Sequence, residues 1–236
     1  KNKRNYLFIP LLTCLMILNI ALLALDFHNY SELARHISRT SILMFCLLVG
    51  ILGGRVIPFF TSSGAKLTTI TTPSWLTTLL ITTSVAGIIV FFTSAFVELP
   101  FSPAALMMAS GILHIIRQCF WHSYATLEIP LLWSLHLAYF SLGLGLILLG
   151  MSYLSFDDLN IQLQFSDALH LITLGAMALM IFSMMCRVSL GHTGRPLIVH
   201  PLVSWLFTLT FISAIARVLL PIFHQPLLGW NISACL

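Results

Sequence analysis

Apolar runs of about twenty residues alternate with short polar breaks along the whole chain. They cover residues 6–25, 40–60, 75–97, 104–123, 131–154, 169–189 and 202–223. A bilayer core roughly 30 Å thick is crossed by ~20 apolar residues in a helix. In lipid the backbone has only its own segment to hydrogen-bond, so runs of this length are predicted as helices. The pattern therefore predicts an all-α, polytopic transmembrane helix bundle of about seven spans, forming one domain over residues 1–236. Breakers stand where the breaks require them: Pro73, Pro100, Pro103, Pro130, Gly191, Gly194, Pro196 and Pro201. The fourth run is the weakest, because His114 and Arg117 interrupt it.

Composition narrows the class without changing it. Hydrophobic residues make up 58% of the chain and charged residues 8%. Soluble domains carry about 25% charged residues, so this chain lacks the polar surface that water demands and takes the lipid bilayer as its solvent. The net charge of +4 does not point to nucleic acid, since the one basic run is Lys1-Asn2-Lys3-Arg4. None of the five cysteines shows C-x-x-C spacing, and they read as small buried hydrophobes. The chain begins with Lys1, and the run 6–25 is too long for a signal-peptide core, so it reads as part of a longer protein.

Charge asymmetry orients the spans. With seven crossings, one face holds Lys1, Lys3, Arg4, Arg55, Lys66, Arg117, Arg187 and Arg195 with a single acid, Glu128. The other holds Arg35, Arg39 and Arg217 against Asp26, Glu32, Glu98, Asp157, Asp158 and Asp167. By the positive-inside rule the first face, with the N-terminus, is cytoplasmic.

Ionisable residues within the hydrocarbon are costly and so are the most informative positions. They fall into two layers. The inner layer contains Arg55, Arg117, His136 and Arg187, with the loop Gly191-His192-Thr193-Gly194-Arg195-Pro196 expected to close over it. Trp133 shares the helical face of His136, one turn earlier. Such arginines can hold the anionic edge of a cofactor by bidentate pairing, whereas Arg117, near a span end, is expected to snorkel to lipid phosphates. The outer layer contains Asp167 and His170, on one face, and Arg217 at similar depth, so Asp167 and Arg217 are expected to pair. His114 is the deepest histidine and reads as a hydrogen-bonded core residue. Gly50-x-x-x-Gly54 is common in membrane helices and carries little weight.

No H-E-x-x-H, Walker loop, G-x-G-x-x-G or G-x-S-x-G occurs, which removes hydrolytic and nucleotide chemistry. Histidine and arginine at the membrane edge suit a haem or copper protein. They equally suit a transporter with a polar path, or a scaffold whose polar residues fix packing. Composition leaves these open.

Five ordered segments carry a resemblance. Gly53-Gly54-Arg55-Val56-Ile57-Pro58-Phe59-Phe60-Thr61 resembles the GGRVIPxFT signature of the NnrS family, and Pro130-Leu131-Leu132-Trp133-Ser134-Leu135-His136 its P-x-x-W-x-L-H pattern. Asp167-Ala168-Leu169-His170-Leu171-Ile172-Thr173-Leu174-Gly175-Ala176 is similar to its ALHALTVGA segment. Arg187-Val188-Ser189-Leu190-Gly191-His192-Thr193-Gly194-Arg195-Pro196 and Ala216-Arg217-Val218-Leu219 complete the series. The resemblance implies a bacterial inner-membrane protein that binds haem and copper and is linked to nitric oxide stress, with nitric oxide or nitrosylated species as partners. It implies about twelve helices in the complete protein, of which this chain is the C-terminal part. It carries over Arg55, Trp133, Arg187, His192 and Arg195 as cofactor-binding positions, and His136 and His170 as metal ligands, without assigning catalytic residues or an oligomeric state. Because His136 lies near the inner edge and His170 near the outer, they are not expected to ligate one iron.

Overall fold

A computed structural model describes residues 6–154, 163–222 and 226–235. Lys1, Lys3, Arg4, Asp157 and Asp158, which entered the reading above, lie outside the described residues. Among the described residues there are helices and no strands. Six helices are long and apolar enough to cross a membrane: α1 (Phe8–Phe27), α2 (Ser31–Gly64), α3 (Ser74–Thr93), α5 (Pro130–Met151), α6 (Phe165–His192) and α7 (Pro201–Ile222). Between α3 and α5 lies the shorter apolar helix α4 (Ala104–Cys119). At 16 residues it spans about 24 Å, less than the hydrocarbon core. It nevertheless runs antiparallel to both neighbours: Gly87 of α3 faces Leu106 and Met107, and Gly150 at the end of α5 faces Ala104.

The boundaries moved where the breakers were weaker than the runs suggested. α2 begins nine residues before the predicted run, at Ser31, because Glu32, Leu33, Ala34 and Arg35 are good helix formers with no breaker among them. The turn that separates it from α1 comes at Asn29, in the left-handed region (φ 61°). Pro58 sits inside α2 without ending it. A further helix, α8 (Pro226–Cys235), was not expected. It folds back on α7, where Gly229 meets the Ala216 carbonyl and the Ser213 hydroxyl donates to the Ser233 carbonyl at 3.1 Å.

The core is centred on α5, which packs against α2, α4, α6 and α7. Leu131, Leu135, Tyr139, Leu142, Leu146 and Leu149 are all buried along it. A helix apolar on every side belongs at the centre of a bundle, and α5 occupies that place. Small residues bring α4 against it: a Cβ on Gly111 would stand 2.5 Å from the Gly143 carbonyl oxygen. By contrast α1 rests mainly on α2 through Leu11, Leu47 and Ile51, leaving Ile9, Ile17 and Leu23 exposed. In lipid such a face needs no further protein cover.

Midway along α6, Leu171–Ala178 winds as a π-helix. The wider turn follows immediately on His170 and contains Gly175, seated against the Ser141 side chain of α5. Such wide turns concentrate at functional sites.

Candidate functional site

The inner layer is built between α2, α4 and α5. His136 is buried, with Nε2 2.8 Å from the Thr61 hydroxyl of α2 and Nδ1 2.8 Å from the Ser123 hydroxyl. In a neutral imidazole one nitrogen donates and the other accepts, and a hydroxyl satisfies either. Ser123 is delivered by His122, whose left-handed backbone (φ 50°) turns the chain out of α4 into a short 3₁₀ segment, Ser123–Thr126. Gln118 donates to the His136 carbonyl at 2.8 Å, and the Trp121 ring meets the imidazole edge-on. His136 thus joins three elements, and neither ring nitrogen is idle.

Arg117 overturns its sequence reading. It does not snorkel: it is buried, and its guanidinium turns inward to the backbone of α2. Nη1 lies 3.5 Å from the Gly50 carbonyl and Nη2 donates to the Gly54 carbonyl at 3.2 Å. The guanidinium occupies the space where a Cβ on Gly54 would stand. One turn earlier, His114 Nε2 occupies the equivalent place at Gly50, 2.6 Å from the position of a Cβ. Gly50 and Gly54 therefore admit two polar side chains from α4 rather than a second helix backbone. The cause is local: four residues separate the glycines on one helix face, and three separate His114 from Arg117 on the facing one.

His114 donates Nδ1–H to the Ser110 carbonyl at 2.8 Å, while its buried Nε2 has no hydrogen-bond partner. His170 holds the same tautomer. Its Nδ1 lies 2.6 Å from the Ser166 carbonyl, which can only accept, so Nε2 keeps its lone pair. That is the arrangement found in metal-binding histidines, whose second nitrogen is tied to a carbonyl or carboxylate. Beside it Asp167 is buried. The expected Asp167–Arg217 contact is not made: among the described residues the ion pair within 4 Å is Arg35–Glu32. Arg217 instead lies over the Trp230 ring, 5.1 Å from its centre, held there because α8 folds back on α7. Nearby, just beyond α5, burial pushes the Tyr153 hydroxyl up to about 12, against the opposing charge of Arg39.

The expected cofactor-binding positions are dispersed. Arg55 is exposed on α2, with its guanidinium 5.2 Å over the Phe8 ring. Arg187 is buried against Phe60, 3.9 Å from the ring centre, in a cavity of about 300 Å³ shared with Glu128. Trp133 packs edge-on against Phe207 at 6.1 Å, a packing contact. His192 and Arg195 stand exposed, and it is Leu197–Val199, not residues 191–196, that closes over Arg187. Residues that sequence reasoning passed over, namely Gln118, Trp121 and Tyr139, form the lining around His136 and Arg117. Their polar atoms lie in apolar runs and gave no periodic signal.

Room and ligands do not coincide. An apolar cleft of about 520 Å³ between α2 and α6 is walled by residues such as Leu52, Met180 and Met184 but by no histidine. The cavity that His114 lines holds only about 20 Å³. Among the described residues no three His, Cys, Asp or Glu side chains converge to hold a metal ion. Among the described residues, the prepared imidazoles stand singly.

Fold and site together define a multi-pass helical membrane protein that buries His114, Arg117, His136, Asp167 and Arg187 within the bundle. The family model for NnrS protein matches residues 1–236, and the chain belongs to that family. It is thereby a nitric oxide-related membrane protein. No curated protein and no solved structure matches it.

Proposed function

We propose that this chain serves the nitric oxide response of a bacterial inner membrane, relieving nitrosative stress through haem or copper held in part by its own histidines. The observation that carries this reading is His170. Its Nδ1–H is committed to the Ser166 carbonyl, which leaves Nε2 as a lone-pair donor at the start of the π-helical turn. His136 is the second ligand candidate, and to bind a metal it must release the hydroxyl of Thr61 or Ser123. Arg55, Arg187 and Arg195, with Trp133 and His192, are the positions that family membership offers to an anionic cofactor edge at the cytoplasmic side, although they stand apart in this chain. Haem or copper, when bound, supplies an open coordination position for nitric oxide. Family membership supports the link to nitric oxide.

The test is the visible spectrum and copper content of the purified protein from cells supplied with haem and copper. A Soret band or stoichiometric copper is expected in the wild type and is expected to disappear in His170→Ala while the protein stays monodisperse. A folded wild type that is colourless and free of copper overturns the proposal and favours a transporter instead. The hydroxyl-lined cavity between α2 and α3 is what such a reading would use.

A further inference from the structure

The cytoplasmic ends of α2 and α3 border a cavity of about 570 Å³ that holds neither of the candidate metal ligands, His136 and His170. Arg55 and Arg117 both line it, and among the described residues that line it none is a carboxylate. Thr69, Ser74 and Thr77 line the same space, with Ser62, whose hydroxyl donates to the Phe59 carbonyl at 3.0 Å. Arg117 is 4% exposed, and its Nε has no hydrogen-bond partner. Its other nitrogens meet the two glycine carbonyls and the guanidinium lies 5.8 Å from the Trp121 ring centre, contacts that offset part of its lost hydration but supply no full counter-charge. Among the described residues no carboxylate stands within ion-pair distance of it. A buried cation left this way is expensive unless an anion joins it.

The wall opposite Arg117 is suited to an anion. α3 starts at Ser74, and no side chain caps its first amides, so the positive end of a 20-residue helix borders the cavity. The connection before α3 is pinned by Trp121, whose Nε1 donates to the Thr72 hydroxyl at 3.1 Å. Trp75, 61% exposed at the next position of α3, marks the level of the membrane interface, where phosphate groups are abundant.

We propose that this cavity binds a phosphate group, carried by an anionic lipid headgroup or free in solution, with Arg117 and Arg55 as its charge partners. Guanidinium and phosphate match in geometry, each offering parallel contacts to the other. Thr69, Ser74 and Thr77, beside the two arginines, add hydroxyl donors of the kind that a tetrahedral, multiply acceptor-rich group requires. Nitrate, planar and far smaller than the cavity, would leave most of those donors unused. The inference does not depend on haem or copper being bound.

Full-length protein purified in neutral detergent is tested with two probes. Inorganic phosphate is titrated by calorimetry, and phosphatidylglycerol is offered in phosphatidylcholine nanodiscs, with retained lipid counted by native mass spectrometry. Binding of either probe is expected, and which one binds identifies the source. Arg117→Gln and Gly54→Ala, which fills the guanidinium's seat, are each expected to weaken it on the order of tenfold or more. If those buried changes prevent folding, Arg55→Gln on the exposed face still reads the site and is expected to weaken binding. Arg35→Gln, whose side chain pairs with Glu32, is expected to leave binding unchanged. A folded wild type that binds neither probe overturns the proposal, as does equal binding by wild type and an Arg55→Gln/Arg117→Gln double variant.

Discussion

The His136 ring carries more structural duty than its place in an apolar run suggested. Two hydroxyls, one from α2 and one from the turn after α4, meet its two nitrogens. Thr61→Val keeps the shape of the side chain and removes the hydroxyl, leaving one ring nitrogen unsatisfied in a buried setting. The expected cost is about 1–3 kcal/mol. It is checked as a lower thermal midpoint in detergent, with Thr61→Ser restoring the wild-type value. Individual residues were only partly legible beforehand. That the His136 ring would be buried and hydrogen-bonded could be read from its depth, since ionisable groups in lipid need a reason. That Gly50 and Gly54 are the seats of His114 and Arg117 could not, because the sequence motif alone does not say what approaches the bare backbone. Arg117 was misjudged for a related reason: a position near a helix end leaves a long side chain free to point either way.

At the level of elements, the α4–α5 crossing sets the spacing of the inner layer. Gly111 and Gly143 put the two backbones in direct contact, and the obstacle to a side chain there is a carbonyl rather than a yielding side-chain tip. Gly111→Ala is therefore expected to cost at least about 3 kcal/mol, the upper end for overpacking. Gly191→Ala, with nothing within 4 Å of the added methyl, is expected to be neutral or slightly stabilising. Recovery of monodisperse protein and its thermal midpoint distinguish the two. The seven apolar helices themselves were readable, because length and hydropathy decide them with little help from tertiary contacts. The π-helical turn at Leu171–Ala178 and the folded-back α8 were not. The first is imposed by packing against α5, and the second is too short and too ordinary in composition to announce itself.

Across the whole molecule, direction depends on α4 counting as a crossing despite its length. Its antiparallel course between α3 and α5 favours seven crossings over six. We propose accordingly that the connection before α7 faces the cytoplasm and the α3–α4 connection the opposite side. In a cysteine-free background Thr193→Cys is expected to resist a membrane-impermeant thiol reagent in intact spheroplasts, and Glu98→Cys to react. The reverse pattern, or labelling of both from outside, would remove the assignment.

The central position of α5 has a mechanical meaning as well. It shares faces with four other helices, whereas α1 leans chiefly on one. Drawn out of the membrane from its N-terminal end, the chain is built to surrender α1 early and as a separate event. α5 cannot be withdrawn until its neighbours have lost their grip, so resistance to force gathers in the part of the molecule that also holds His136.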